Sequence, residues 1–442
     1  MSGRISRADA KRLIHGLALA SVVVYINLYL MQGMLPMLAE QFAVAGGEAT
    51  LILSVTSFSL ALSLLGYALL SDSIGRYQPL IVSLWLLALS NPLMLLIDSW
   101  HGILGLRLVQ GILLAAVPAI AMAFMRESLP LSALMKAGAF YIAANSFGGI
   151  VGRILGGLMA EYLSWQGAAL LLTAVTLVSV GLSHYLLSPF GQSHHGKAAT
   201  SSANAEKSNA NTQKSNTTAA KNKAERSAQI LASSAWQGFA MHLANPQLRL
   251  FYLLGGLAFM VMVNQFSFIQ LHLLEAPFHW SRFGVTLIFL CYLSGTLCAY
   301  RSGTLIARFG VAAVVLVSLA MMVTGSLITL FDTTQAIVGG FLLSAAGFFL
   351  IHACCNSQVA LRATGHRAKA SALYLCAYYL GASLGGPFLM PFWHHGQWPA
   401  VVLGSLLLLA LAGVVALKLL PAGTLSARSA YLRGFKFRRG CH

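Results

Sequence analysis

The chain has 442 residues, of which 57% are hydrophobic and only 9% are charged, and its mean hydropathy is +0.75. Soluble proteins carry about 25% charged residues, so this composition excludes an ordinary soluble enzyme, a disordered protein and a collagen-like fibre. The formal net charge is +17. The cations are scattered between apolar runs, however, which argues against a nucleic-acid-binding domain.

Apolar runs recur along the chain at the length that crosses a bilayer, about 20 residues each. They predict twelve transmembrane helices. Gly and Pro within several runs do not end the predicted helices, because both are tolerated in membrane helices. The first run is longer than the apolar core of a cleaved signal peptide, which is about 7–15 residues. The predicted spans are 13–37, 50–70, 79–98, 102–125, 134–160, 164–187, 248–274, 283–302, 311–331, 335–358, 369–392 and 398–420.

A polar segment of low complexity, 191–227, divides the spans into two groups of six. It cannot bury enough apolar surface to order itself, which predicts a flexible linker. Apolar residues return with helical spacing at 228–245 and predict an amphipathic helix on the membrane surface. The predicted organisation is a tail (1–12), a six-helix bundle (13–187), a linker with the amphipathic helix (188–247), a second six-helix bundle (248–420) and a basic tail (421–442).

The distribution of Lys and Arg predicts the orientation in the membrane. Basic residues occupy both tails, the linker and the loops after spans two, four, eight and ten, whereas the other loops contain a single one, Arg282. Cytoplasmic loops are enriched in Lys and Arg, so both termini and the linker are predicted to be cytoplasmic. The opposite loops carry six acids, which are Glu40, Glu48, Asp98, Glu161, Glu275 and Asp332.

The two groups of spans repeat one another in sequence. Span five begins near Lys136 and span eleven near Lys369, and matching residues follow in register. Such a parallel duplication predicts two bundles about an axis along the membrane normal, an architecture suited to alternating access around a midplane solute site. The matching pairs are Tyr141/Tyr374, Gly148/Gly381, Gly152/Gly385 and Trp165/Trp398.

Three short motifs lie on matching spans: ALLSDSIGR at 68–76, Arg107-x-x-Gln110-Gly111 in span four, and GGIVGRILGG at 148–157 in span five. Through them the chain resembles the major facilitator superfamily. The similarity is greatest to twelve-span drug:proton antiporters and, more narrowly, to bacterial sugar (arabinose-type) efflux transporters. The resemblance implies an all-α membrane protein of twelve helices in two pseudo-symmetric six-helix bundles.

The first motif predicts a contact that we call the basic-end latch, formed by Asp72, Gly75, Arg76 and Glu127. Gly75 permits a tight turn with positive φ, and Arg76 is placed to pair with Glu127. Asp72 can accept from backbone N–H groups at a helix start. The resemblance implies that this is the start of span eleven and that the latch closes the cytoplasmic side. Ala307 replaces the acid in the second half, which predicts a weaker contact there.

Two arginines lie within predicted spans, where a charge costs roughly a few kcal/mol and usually serves a function. The resemblance associates Arg107 with proton coupling, yet no span has Asp or Glu in its central turns. Arg153 stands where the motif of span five usually has proline. Both are predicted to hold hydroxyl or anionic groups of a solute, or an outer acid such as Glu161. For Arg107 a packing or snorkelling role is the alternative.

Polar and aromatic residues on the spans that line the cavity in that superfamily predict the rest of the site. His352 is the predicted proton carrier, because histidine changes charge near neutral pH; a hydrogen-bonded core histidine is the alternative. Each predicted solute contact has packing as its alternative. The small residues of span five are a separate case, since they predict close contact with the backbone of a neighbouring helix. The predicted solute contacts are Tyr25, Tyr29, Gln32, Arg107, Gln110, Asn145, Arg153, Asn264, Gln270, Asn356 and Tyr378.

Together these patterns predict a secondary transporter of the bacterial inner membrane that exports a small sugar or drug-like solute in exchange for protons. The alternative is uptake by proton symport or uniport. The sequence contains no nucleotide-binding loop and no evident nucleophile–base or metal set at membrane depth, so neither an ATP-driven pump nor an enzyme is predicted. The expected partners of this monomer are the solute, protons and the lipid bilayer, without cofactor, metal or nucleic acid.

Overall fold

The computed structural model describes residues 6–209 and 236–419. Within them it shows eleven helices that are long and apolar enough to cross a membrane. The last helix, Arg367–Leu417, is interrupted at Gly396 and Gln397, whose backbone angles are not helical. It therefore provides spans eleven and twelve, which confirms the predicted all-α architecture of twelve spans.

The six spans of the first half are formed by long helices, several of which are broken into two segments. Ser6 caps the first of them by accepting from the backbone N–H of Asp9 at 3.0 Å. The sixth continues past its predicted end into the segment predicted as linker, of which 210–227 lies outside the described residues. The helices are Arg7–Gly33 with Leu35–Gln41, Gly46–Ala49 with Leu51–Ile74, Tyr77–Ser90 with the 3₁₀ turn Asn91–Leu96, Trp100–Leu114 with Ala116–Ser128, Leu131–Tyr162 and Trp165–Asn209.

The second half follows a short helix at 236–244, which lies within the predicted amphipathic segment. In that helix Trp236 is exposed, while Phe239 is buried beneath the Lys369 ammonium, which lies 5.7 Å from the ring centroid. The helices of the second half are Pro246–Leu274, Arg282–Thr286 with the 3₁₀ turn Leu287–Cys291 and Tyr292–Phe309, Val311–Ile328, Thr334–Arg362 and Arg367–Leu417.

Glycines bring span five against span one in the first half. A Cβ built on Gly148 would lie 2.8 Å from Cα of Val22, and one on Gly152 would lie 2.9 Å from Cα of Ile26. Only glycine allows two helix backbones to approach this closely. The predicted helix contact of the small residues on span five is therefore confirmed.

The two halves meet along a seam that is closed at one membrane end. We call this the acidic end, because the six acids of the loops lie there, and the opposite end the basic end. At the acidic end Arg282 pairs with Glu40, and the backbone N–H of Phe283 donates to Glu161 at 3.1 Å. Span five contacts span eight through the first segments of the latter, including Arg282–Thr286. The seam between the halves positions the candidate functional site.

Candidate functional site

Tyrosines and a phenylalanine from both halves meet in the middle of the seam. We call them the central aromatic cluster: Tyr25, Tyr29, Phe259, Tyr378 and Tyr379. The ring of Phe259 stacks on Tyr378 with centroids 3.7 Å apart, and the Tyr379 hydroxyl donates to the Tyr25 hydroxyl at 3.0 Å. Such a cluster offers ring faces and hydroxyl groups to a solute, as in other small-molecule sites.

Arg153 lies in span five at the edge of this cluster and is 2% exposed. Its guanidinium carbon lies 3.6 Å from the ring centroid of Tyr29 and 4.9 Å from the centroids of both Phe289 and Tyr292. Its Nε donates to Gln32 at 2.8 Å. Rings and an amide, not the carboxylate of Glu161 that was one predicted partner, therefore surround this cation.

Arg107 is fully buried and its hydrogen bonds remain within the first half. Its Nε donates to Thr56 at 3.1 Å, its Nη1 to Gln110 at 2.7 Å, and its Nη2 to the carbonyl oxygen of Asn27 at 3.2 Å. Gln110 in turn donates to Asn91 at 3.0 Å. This network ties spans one, two, three and four together. Arg107 and Arg153 thus belong to different networks, and the predicted role of Arg107 in proton coupling remains a prediction.

His352 lies on span ten beside the central aromatic cluster and is only partly buried. Its Nδ1 is 2.9 Å from the Tyr374 hydroxyl, and its ring centroid is 4.7 Å from that of Tyr378. Tyr374 occupies the position that matches Tyr141 of the first half. The histidine therefore has both a hydrogen-bond partner and a partly exposed ring, so the geometry is compatible with a proton carrier and with a core histidine.

The remaining predicted solute contacts lie in varied surroundings. Asn145 accepts from the Ser21 hydroxyl, and Asn264 donates to the Ala382 carbonyl at 3.1 Å. Both contacts join neighbouring spans of one half. Gln270 is buried and donates to its own helix, while Asn356 is exposed one helical turn after His352.

The structure also forms most of the predicted basic-end latch. Gly75 has φ +89°, and Arg76 contacts Asp72 at 2.7 Å and Glu127 at 2.8 Å. Partial burial acts to lower the pKa of Arg76, but the hydrogen bonds to Glu127 and Asp72 outweigh it, so this pKa is raised above its usual value. The contacts described for Asp72 are within the first half, and its predicted contact with span eleven remains a prediction.

The family assignment rests on a match over most of the chain. The profile of the Major Facilitator Superfamily matches residues 17–385. The chain belongs to this superfamily. It is 30% identical over 400 residues to the inner membrane transport protein YnfM of Escherichia coli, covering 90% of this chain and 88% of YnfM.

Two further proteins are similar to the chain, one over part of its sequence and one in its fold. A shorter match, 28% identical over 175 residues, covers 39% of this chain and 42% of the chloramphenicol resistance protein CraA of Acinetobacter baumannii. The solved structure of the nucleoside transporter NupG aligns with a TM-score of 0.65 at 11% identity, covering 93% of this chain and 99% of NupG, which shows a shared fold. The chain is therefore a multi-pass inner-membrane transporter of the Major Facilitator Superfamily type.

Sequence reasoning missed four aromatic residues of this superfamily member's site, and Phe259, which stacks on Tyr378, is the first of them. Phe289 and Tyr292 of span eight flank Arg153, and Tyr379 of span eleven bonds to Tyr25. Aromatic residues inside an apolar span resemble ordinary packing residues, and only the crossing of distant helices brings them together. The duplication offered one signal, since Tyr379 follows the matched residue Tyr374 by five positions.

Proposed function

We propose that the chain exports a small sugar or drug-like solute in exchange for protons, by alternating access, with its basic end in the cytoplasm. The observation that carries this proposal is the central aromatic cluster, which lies between two like-built bundles where alternating access requires the solute site. The chloramphenicol resistance named for CraA supports export, because removal of a toxic solute from the cell would produce resistance.

In the conformation described, the seam is closed at the acidic end, so the solute would enter from the basic end. The first solute contacts are then the predicted contacts that stay partly or fully exposed, which are Tyr25, Asn145, Tyr378 and Asn356. Gln32 and Arg153 are buried and engaged with each other. They would meet a solute once the acidic end opens.

Proton coupling is assigned to His352, because the described spans hold no Asp or Glu in their central turns. His352 is instead the histidine beside the central aromatic cluster, and an unperturbed histidine changes charge near neutral pH. Its protonation would place a cation beside Tyr378 and the solute. Binding of a proton and of the solute would then be linked through one small region.

Flux in proteoliposomes under an imposed pH gradient tests this proposal. Chloramphenicol and arabinose serve as the first probes, and a pH-sensitive dye trapped in the lumen reports proton movement. An antiporter moves the solute opposite to the protons whichever way the protein is inserted. Solute movement in the same direction as the protons would contradict export, and protein-free liposomes provide the control for leakage.

The second candidate is uptake by proton symport or by uniport. It is favoured by Arg153, which replaces the proline typical of the antiporter motif and fills the space beside Tyr29 with a cation. The flux experiment separates the two candidates. Symport carries solute and protons together, whereas uniport carries solute without changing the luminal pH.

A further inference from the structure

Arg153 links the two halves of the molecule although it belongs to the first. One of its three ring partners, Tyr29, is in the same half, while Phe289 and Tyr292 are in the second half, each 4.9 Å from the guanidinium carbon. A buried guanidinium over ring faces is an attractive contact whose strength grows as water is excluded. The cation therefore contributes to closure of the seam.

Gln32 makes a second link across the same seam. Its side-chain oxygen accepts from Arg153 within the first half. Its side-chain nitrogen donates to the Val263 carbonyl at 2.9 Å and to the Ser267 hydroxyl at 2.8 Å, both on span seven of the second half. Since Gln32 is fully buried, loss of any of these bonds would leave a polar atom without its partner.

We propose that Arg153 and Gln32 form a clasp that holds the acidic end closed and must release before that end can open. This inference rests on the alternating access proposed above. Arg153 acts as a positioning residue for the change of conformation, in addition to any contact it makes with the solute. Neither the superfamily motif, which usually has proline here, nor the predicted partner Glu161 provides this contact.

The chemistry of the clasp suits a contact that must open and close repeatedly. When the halves separate, Arg153 keeps Tyr29 and the Gly149 carbonyl, to which its Nη1 donates at 2.9 Å. It loses Phe289 and Tyr292, and water entering the open seam would hydrate the exposed cation in their place. Leaving a carboxylate buried without its partner would be strongly unfavourable. Release of the clasp avoids this cost, because the clasp contains no carboxylate.

The packing beside the clasp shows how tightly the seam closes. A Cβ built on Gly157 would lie 2.9 Å from Cβ of Thr286, so span five and span eight are in direct contact one turn beyond Arg153. Thr286 is fully buried there. A reagent in water can reach position 286 only when the acidic end opens, which makes this position a reporter of the clasp.

The test measures that opening with a membrane-impermeant maleimide. The full chain carries Thr286→Cys as its only cysteine, the six natural cysteines being replaced by alanine. Arg153→Gln should raise the labelling rate at least about fivefold, because the contacts to two second-half rings are lost. Arg153→Lys should give a smaller increase, since it keeps the charge but loses the bond to Gln32.

Two controls keep the outcome interpretable. Arg301→Gln removes an exposed cation of span eight and should leave labelling unchanged. A second reporter, Ser326→Cys, is buried between spans seven and nine and labels only if the variant unfolds. If Arg153→Gln unfolds by that criterion, Phe289→Leu, which leaves the Arg153 hydrogen bonds in place, must raise labelling at position 286.

An unchanged labelling rate in folded Arg153→Gln, or in Phe289→Leu where it is needed, would overturn the clasp. The measurement needs no solute, so its failure is distinct from failure of the proposed function. Increased labelling in a protein that shows no solute flux would support the clasp and count against the transport proposal alone.

Discussion

The two halves of the molecule share their helix packing but bury different chemistry. Gly152 brings span five onto span one, and its counterpart Gly385 brings span eleven onto span seven, where a Cβ would lie 2.6 Å from the Met260 carbonyl oxygen. The next residue is Arg153 in the first half and Gly386 in the second. Duplication has thus kept the positions where backbones touch, while the side chains beside them have diverged.

That divergence is clearest beside the seam. There the first half places the buried cation Arg153 against its own Tyr29, whereas the second half contributes the rings of Phe289 and Tyr292 and the imidazole of His352. A difference of this kind indicates a division of roles. In the proposed mechanism, the shared scaffold would move both halves alike, and the unlike side chains would determine which end is closed and what is bound.

The largest effect is expected from Arg107, the buried cation whose hydrogen-bond network joins four spans of the first half. Arg107→Met removes hydrogen bonds to Thr56, Gln110 and the backbone of span one, which leaves their acceptors buried and unpaired. We expect a loss of about 3 kcal/mol in stability, measured as thermal unfolding in detergent, and loss of solute flux. Arg308→Met at the exposed basic end is the control. Wild-type stability in Arg107→Met would show that the first half does not depend on its buried charge.

The shared glycine contacts should respond equally in the two halves. Gly152→Ala and Gly385→Ala each force a methyl group against a helix backbone, so we expect each to lose about 1–3 kcal/mol of stability. Gly339→Ala, with open space around it, should be neutral or slightly stabilising. Thermal unfolding of the three variants checks this. Sensitivity in only one half would contradict the conserved packing inferred from the duplication.

The third prediction concerns His352, whose role has no counterpart among the first-half residues. His352→Gln keeps a polar side chain beside Tyr374 but cannot change charge, so the pH dependence of transport between about pH 5.5 and 7.5 should disappear. The measurement is initial flux in proteoliposomes across that range. Tyr374→Phe removes the hydrogen-bond partner and leaves the histidine, so its profile should shift without being lost. A wild-type profile in His352→Gln would remove it as the proton carrier.

The architecture could be predicted because span length, the placement of Lys and Arg, and the duplication are all visible directly along the sequence. The turn with positive φ at Gly75 and the pairing of Arg76 with Glu127 were predictable for a related reason, since a local motif specifies them.

The arrangement of the site was not accessible in this way. Position along a span can be counted in the sequence, and it placed both Arg107 and Arg153 within the membrane. The direction in which each side chain points depends on how helices rotate and pack. Arg107 turns into its own bundle, whereas Arg153 turns into the seam toward Phe289 and Tyr292. Residues that contact each other from separate helices have no fixed separation along the sequence, so the sequence does not reveal that they are partners.

The smallest effect on stability is expected at the basic end, where the halves share a turn but only one has the ion pairs. Asp72 is half-exposed, and its pair with Arg76 is worth no more than about 1 kcal/mol, so Asp72→Asn should barely change thermal unfolding. Transport should nevertheless fall several-fold if the basic-end latch closes that side, which the proteoliposome flux assay measures. Ala307→Asp places an acid at the matching turn, where no residue corresponds to Arg76, and should change neither quantity. Full flux in Asp72→Asn would show that the latch is an ordinary surface turn. The matching turns of the two halves would then have the same role at this end despite their different charges.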